Sequence, residues 1–337
     1  MHKFYSKERK LGFKDVLIVP QNSELNSRSQ VNLIRKFKFK YGQEWEGVPI
    51  MVANMDTTGT LEMATVLSKY KILTCLHKFY SSTDIISYLK TNPEISNYIA
   101  VSTGTSEKDI NKVHQVMKEC SDIKWICLDI ANGYSSHFTN TINLLRKSFP
   151  DKIIIAGNVV TPERTKQVLD AGADLVKLGI GPGEACITRI KTGIGYPQLS
   201  VCLENSSEVL CYDFPTSISD GGCKNPCDVA KALGAGVDMV MIGGMFAGHD
   251  ESGGELFEEN NKKYKLFYGM SSDKAMKKYY GEVANYRTSE GKIIKKEYKG
   301  PVENTVKDIL GGLRSACTYV GAKNIEDFSK LVKFVLV

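Results

Sequence analysis

Residues 174–183 read DLVKLGIGPG, a short apolar run that passes directly into glycine and proline. Five residues are too few for a helix that must bury a face, and the near-continuous hydrophobicity suits a strand covered on both sides, as in a parallel sheet. The glycines behind it let backbone approach a ligand closely. Seven other runs share this form: residues 48–53 (VPIMVA), 72–76 (ILTCL), 98–102 (YIAVS), 125–130 (WICLDI), 152–156 (KIIIA), 215–219 (PTSIS) and 238–242 (DMVMI). In chain order the eight starts are 24, 26, 27, 27, 22, 41 and 23 residues apart, room for one helix between neighbours. Repeated βα units in that number predict a (β/α)8 barrel.

Helix signals occupy the intervals. Ser106 precedes EKDINKVHQVMKE, and Thr161, Pro162 and Glu163 put proline where a first helical turn tolerates it. A closing helix is expected over 304–315. Only the interval after strand six is long, and it carries the loop GIGPGEACITRIKTGIGYPQ at 179–198.

Polar residues and glycine follow every strand: Asn54 and Asp56; His77 and Lys78; Gly104; Asp129, Asn132 and Gly133; Gly157 and Asn158; Gly179, Gly181 and Gly183; Asp220, Gly221 and Gly222; Gly243 and Gly244. Any one of these merely ends a strand, but all eight together mark the face on which barrel enzymes keep their active sites. Residues 250–300 break the rhythm with a charged, glycine-punctuated segment. It is expected to be a flap appended to one barrel domain spanning 1–337, most of its lysines being solvated surface.

The bulk composition narrows the function. Of 337 residues 42% are hydrophobic and 24% charged, and 44 basic against 38 acidic side chains give a formal charge of +6 without a basic cluster. That balance favours small anionic ligands and argues against nucleic acid. No run of 18 apolar residues occurs, so no membrane span is expected. Nine cysteines, an odd number without a framework, suit a reducing compartment, the cytoplasm. No GxGxxG opens a helix after a strand and no GxxxxGK[ST] is present. Cys223 and Cys227 form a lone pair without second ligands, and His137 and His249 are read as surface histidines.

Within the long loop, Cys186 is a candidate nucleophile, its thiol set among glycines rather than inside a strand pattern like Cys75 and Cys127. Carbonyls of the Gly181, Pro182, Gly183 turn cannot all pair regularly and suit a monovalent cation as well as water. The glycines after strands seven and eight lie where barrels bind phosphate through backbone N–H groups.

GIGPG followed by Cys186, Thr188 and Arg189, then KTGIGYPQLS, resembles the signature loop of the IMP dehydrogenase and GMP reductase family. VANMDTTGT (52–60), VSTGTS (101–106), LDIANGYS (128–135), AGNVVT (156–161), AGHDESGG (247–254), FYGMSS (267–272), YRTSEGK (286–292) and DILGGLRSACTYVGA (308–322) are similar to its reductase branch. Four residues separate Leu76 from Ser81, so the regulatory CBS insertion of the dehydrogenases is not expected.

The resemblance implies NADPH-dependent reductive deamination of GMP to IMP and ammonia, with Cys186 attacking the purine C2 and Thr188 and Glu290 protonating the departing ammonia. It places GMP against Asp220, Gly221, Gly222, Gly243, Gly244, Gly269, Met270, Ser271, Arg287, Thr288, Ser289 and Gly291. It places NADPH against Lys78, Asp129, Ile130, Ala131, Ile180, Gly181, Met270, Tyr286 and Arg287, with Ser27, Arg28, Ser315, Ala316, Cys317 and Thr318 reaching over from a neighbouring subunit of a homotetramer. A potassium ion would be held at Gly181, Gly183, Cys186 and Arg189.

Two departures stand out: Glu184 occupies a position where the family has Ser near the substrate phosphate, and Ile187 replaces Thr. A carboxylate beside phosphate should weaken GMP binding unless it turns away or meets a cation. The text of 202–214 also departs from the family, leaving the helix after the loop less defined. The dehydrogenase reaction, IMP to XMP with NAD and an activated water, is the second reading. A silent nucleotide-binding barrel is the third, and it has no use for the thiol.

Overall fold

The computed structural model describes residues 5–208, 212–281 and 288–337. Its centre is a closed parallel barrel of β1 (Ile50–Val52), β2 (Leu73–Cys75), β3 (Ile99–Thr103), β4 (Trp125–Asp129), β5 (Ile153–Val159), β6 (Leu175–Leu178), β7 (Ser217–Asp220) and β8 (Met239–Ile242). The ring closes where β8 pairs with β1, Val240 opposite Ile50 and Met241 opposite Met51. Each strand falls on one of the eight runs in the sequence.

Helices α1 (Leu61–Ser68), α2 (Ser82–Thr91), α3 (Glu107–Glu119), α4 (Ser136–Ser148) and α5 (Pro162–Asp170) fill the first five intervals. Their starts follow the local chemistry: Ser106 caps α3 by accepting the N–H of Asp109, and Pro162 opens α5. The long interval after β6 holds a short helix α6 (Thr188–Thr192) and then α7 (Gln198–Glu208), so a helix does form in the divergent text. Helix α8 (Pro226–Gly234) separates β7 from β8.

Alternation along the strands sorts side chains into two cores. Ile50, Val52, Ile126, Leu128, Val176, Leu178, Val240 and Ile242 belong to the layer beneath the helices. Met51, Leu73, Cys75, Trp125, Cys127, Ile153, Ile155, Leu175, Ile218, Met239 and Met241 fill the barrel interior. That interior continues into a hairpin, Arg35–Lys38 paired with Glu44–Gly47, which the apolar-run pattern did not reveal. Phe37, Phe39 and Trp45 stop the barrel: Trp45 and Phe39 meet Trp125 edge-on, each at 5.3 Å between ring centres, and the Trp45 indole N–H donates to the Asn97 carbonyl at 2.9 Å.

The segment after β8 is more ordered than its composition suggests. Strands β9 (Leu256–Glu259), β10 (Lys262–Tyr268) and β11 (Ile293–Glu297) form an antiparallel sheet, with α9 (Asp273–Tyr280) between the last two. Asn260 and Asn261 make the β9 to β10 turn at φ 51° and 58°, the left-handed pair that asparagine tolerates and a twisted hairpin requires. The closing helix α10 runs Glu303–Val320, longer than expected, and packs on α8.

Replacing Trp45 by Ala removes the largest piece of the plug. We expect a loss of about 3–5 kcal/mol in unfolding free energy, typical of a large aromatic core truncation. A denaturant midpoint unchanged from the parent would show that the hairpin is decorative.

Candidate active site

The glycine-rich loop carries Cys186 to the start of α6, so Thr188 sits two residues on, inside the first turn. The Cys186 thiol donates to the Thr188 hydroxyl oxygen at 3.2 Å, and that hydroxyl donates to the Glu290 carboxylate at 2.7 Å. These three residues, expected together from the sequence, form a continuous path for one proton from sulfur to carboxylate.

Glu290 is delivered by backbone pairing. Ile187 N–H donates to the Glu290 carbonyl at 2.8 Å and Lys292 N–H to the Ala185 carbonyl at 2.9 Å, with Cys186 and Gly291 facing each other as an antiparallel bridge. Gly269 lies behind this seam: a Cβ there would sit 2.9 Å from both the Ala185 carbonyl oxygen and Gly291 Cα. Ser271 accepts the Glu290 N–H through its carbonyl at 3.3 Å, and the Ser289 hydroxyl donates to the Gly291 carbonyl at 2.8 Å. Glycine at 269 and 291 is therefore a packing requirement of the flap against the loop.

The barrel mouth holds a charge cluster that sequence reasoning passed over. Lys177, the one basic residue of the DLVKL run, follows Leu175 on the interior side of β6, and its side chain is 2% exposed. Its ammonium bonds the Asp129 carboxylate, lies 3.2 Å from the Asp220 carboxylate and donates to Asn54 Oδ1 at 3.3 Å. Burial alone would push this lysine down, but Asp129 and Asp220 hold it well above the ordinary range. Asn158 donates one amide to Asp220 at 2.8 Å and to the Gly179 carbonyl at 2.8 Å, linking the cluster to the loop. Gly157 makes room, since a Cβ there would meet Lys177 Cβ at 2.5 Å. A lysine within an otherwise apolar strand was the available signal.

A second cluster ties the flap down. The buried Asp56 carboxylate, beyond β1, accepts from the hydroxyls of Tyr268 and Tyr279, each at 2.7 Å, and from the Lys278 ammonium at 3.0 Å. Burial first and then Asp56 raise the phenolic pKa of both tyrosines. The Asp56 N–H also meets Met270 Sδ at 3.4 Å. Nearby, His77 stacks on Tyr80 at 4.0 Å, and burial pushes its pKa down to about 4.

Other expected residues lie as follows. Gly221, Gly222, Gly243 and Gly244 follow β7 and β8 at the mouth, Gly221 and Gly222 with φ 85° and 88°. Lys78 follows β2, and a Cβ on Gly104 would be 3.6 Å from its ammonium. Ile130 pairs with β5 through Gly157 and Asn158, and Ala131 is exposed. Ile180 is half-buried beside Gly179, and Thr288 is exposed. Ser27 and Arg28 lie in a short turn that packs on α10, the helix that also carries Ser315, Ala316, Cys317 and Thr318. Cys317 is fully buried in the core, so its side chain is not available to a neighbouring subunit. Tyr286 and Arg287 fall outside the described residues. His249, read as a surface residue, is buried, with Nδ1 3.0 Å from the Gly300 carbonyl, because the flap folds back over it. His137 is exposed on α4.

A barrel with a relayed thiol in the loop after its sixth strand defines a class, and comparison with known proteins gives its membership. The model of the IMP dehydrogenase / GMP reductase domain matches residues 10–337, and the chain belongs to that family. It is 52% identical over 335 residues to the GMP reductase of Buchnera aphidicola subsp. Schizaphis graminum, covering 97% of this chain and 94% of the relative. It is 52% identical to GMP reductase 1 of Mus musculus over 334 residues, 97% and 95% of the two chains. The GMP reductase of Escherichia coli O81 matches to the same extent, 52% over 335 residues. No helix among the described residues is long and apolar enough to cross a membrane.

His77 supplies a pH test. Its folded pKa of about 4 lies below the ordinary 6.5, so between those values the unfolded chain binds a proton that the folded chain refuses. Stability contributed by His77 is complete above that window and is lost as pH falls through it, by up to about 3 kcal/mol. His77→Phe, which keeps the stack on Tyr80, should flatten the stability profile there. Parallel profiles for parent and variant would contradict this assignment.

Proposed function

We propose that the protein is a GMP reductase, converting GMP to IMP and ammonia with NADPH as reductant. The observation that carries this reading is the hydrogen-bonded series from the Cys186 thiol through Thr188 to Glu290. An amine is a poor leaving group, and a covalent step splits its displacement in two. Cys186 passes its proton through Thr188 to Glu290, and the sulfur bonds to C2 of the purine as the C2=N3 bonding pair moves onto N3. The same path then runs in reverse: the proton returns to the amino group, the N3 pair re-forms C2=N3 as the bond to the amine breaks, and ammonia leaves a thioimidate on Cys186. A threonine hydroxyl is too weak an acid to do this alone, and the carboxylate behind it removes that difficulty. NADPH, when bound, would supply a hydride to C2, releasing the sulfur as a thiolate that takes up a proton from solvent to restore the Cys186 thiol.

The residues at the mouth suit an anionic cofactor. Among the described residues the Lys78 ammonium has no carboxylate within ion-pair distance, while Asp129 is taken by Lys177. Lys78, Asp129, Ile130, Ala131, Ile180, Gly181 and Met270 would line that side, with Tyr286 and Arg287 of the flap. Ser27, Arg28 and the turn of α10 at Ser315 to Thr318 would complete it from a neighbouring subunit of a homotetramer.

A potassium ion fits the loop. Among the described residues no N–H donates to the carbonyls of Gly181 or Cys186, and the Gly183 carbonyl accepts only the Cys186 N–H at 3.0 Å. These oxygens would hold the ion and keep the loop in shape, whereas the Arg189 carbonyl is engaged by the Gly193 N–H at 3.1 Å. GMP would lie with its base under Gly269, Met270, Ser271, Thr288, Ser289 and Gly291, its phosphate toward Gly221, Gly222, Gly243 and Gly244.

One assay separates the readings. Nicotinamide absorbance should fall with GMP and NADPH. A rise with IMP and NAD would favour the dehydrogenase, and a flat trace with both pairs a silent binder. Cys186→Ser should abolish ammonia release, and Glu290→Gln should lower kcat by roughly 100-fold or more, as for loss of a general acid. Ammonia release by Cys186→Ser at the parental rate would sink the covalent route.

A further inference from the structure

Gly244, after β8, is covered on its side toward an incoming phosphate. A methyl group on Gly244 would collide with the Glu184 carboxylate and lie 3.6 Å from the Lys296 ammonium. Those two groups form an ion pair at 2.6 Å, side chains 30% and 19% exposed. A carboxylate lying on a phosphate cradle opposes a dianion by direct repulsion, so the cation beside it decides whether the cradle works.

Lys296 is aimed there by strand geometry. Along β11, Ile294 and Lys296 are half-buried while Ile293, Lys295 and Glu297 are exposed, the alternation of a strand with one covered face. Lys295 accordingly turns outward to Glu259, at 2.7 Å. The Lys296 ammonium is 5.6 Å from the centre of the Phe267 ring on the neighbouring strand. A cavity of about 260 Å³ opens beside the pair, lined by Gly244, Met245 and the charged side chains Glu184, Lys224, Lys296, Lys299 and Asp308. Three lysines against two carboxylates leave the lining net positive by one charge.

We infer that Lys296 is a substrate-phosphate ligand, held over the cradle by Glu184 until the phosphate of GMP displaces that carboxylate. The inference rests on the proposed reading of the site and extends it to a flap residue that determines the requirement for a phosphorylated substrate. Glu184 then acts as a placeholder for the phosphate, and the weak binding expected from Glu184 alone is offset by its partner.

Four enzymes test this: the parent, Lys296→Met, Glu184→Ser and the double variant, each assayed for the KM of GMP and for competitive inhibition by guanosine, which lacks the phosphate. Lys296→Met leaves Glu184 uncompensated and should raise the KM for GMP by roughly tenfold or more, the scale of one charge-assisted hydrogen bond. Glu184→Ser should lower that KM, and the double variant should return most of the way to the parent. Guanosine inhibition should stay within about twofold throughout, since a coupling to phosphate alone does not touch the base. Equal shifts for GMP and guanosine would assign Lys296 a merely structural part and overturn the inference, as would a GMP KM unmoved in Lys296→Met. A parent enzyme that fails to turn over GMP would sink the reading beneath it, an outcome read from the parent alone.

Discussion

The backbone seam between the loop bearing Cys186 and the returning strand of the flap is the constraint on which the arrangement of the site depends. Cys186 and Thr188 are neighbours in the chain, but Glu290 is 102 residues from Thr188. It arrives because Ile187 and Lys292 exchange hydrogen bonds with Glu290 and Ala185, and because Gly269 and Gly291 let the two backbones touch. Backbone pairing fixes position more tightly than side-chain contacts on a loop, so the carboxylate stands within hydrogen-bond reach before any ligand enters. Asp56 holds the other end of the flap through Tyr268, Tyr279 and Lys278.

Beneath that seam the mouth of the barrel is organised around the buried ammonium of Lys177. An unpaired charge at 2% exposure would cost several kcal/mol, and two carboxylates with the Asn54 amide oxygen surround this one. The arrangement draws β4, β5, β6 and β7 together at their ends, where alternation along the strands would otherwise leave polar groups without partners. Asn158 extends it to Gly179, so the loop bearing Cys186 starts from a fixed point.

Much of this was legible because parallel strands covered on both faces leave unbroken apolar runs. All eight barrel strands, the start of α3 and α5 and the residues of the proton path could be read directly or through resemblance. Lys177 was hidden by the same feature that revealed its strand, since three apolar neighbours, Leu175, Val176 and Leu178, masked its charge. The flap sheet was missed for the opposite reason: KKYKLFY and IIKKE alternate, but their exposed faces are so rich in lysine that they read as solvated connection. The hairpin below the barrel, RKFK against EWEG, is of the same kind. Pairs between segments far apart in the chain, Glu184 with Lys296 and Asp56 with Tyr279, have no local signature at all.

The flap lies between β8 and α10, so it is made after the barrel strands in chain order. A domain folds as a unit once enough of its chain has been synthesised. The ribosome therefore adds Cys186 well before Glu290, and the hydrogen-bonded series that joins them closes only once the flap has been made and has docked.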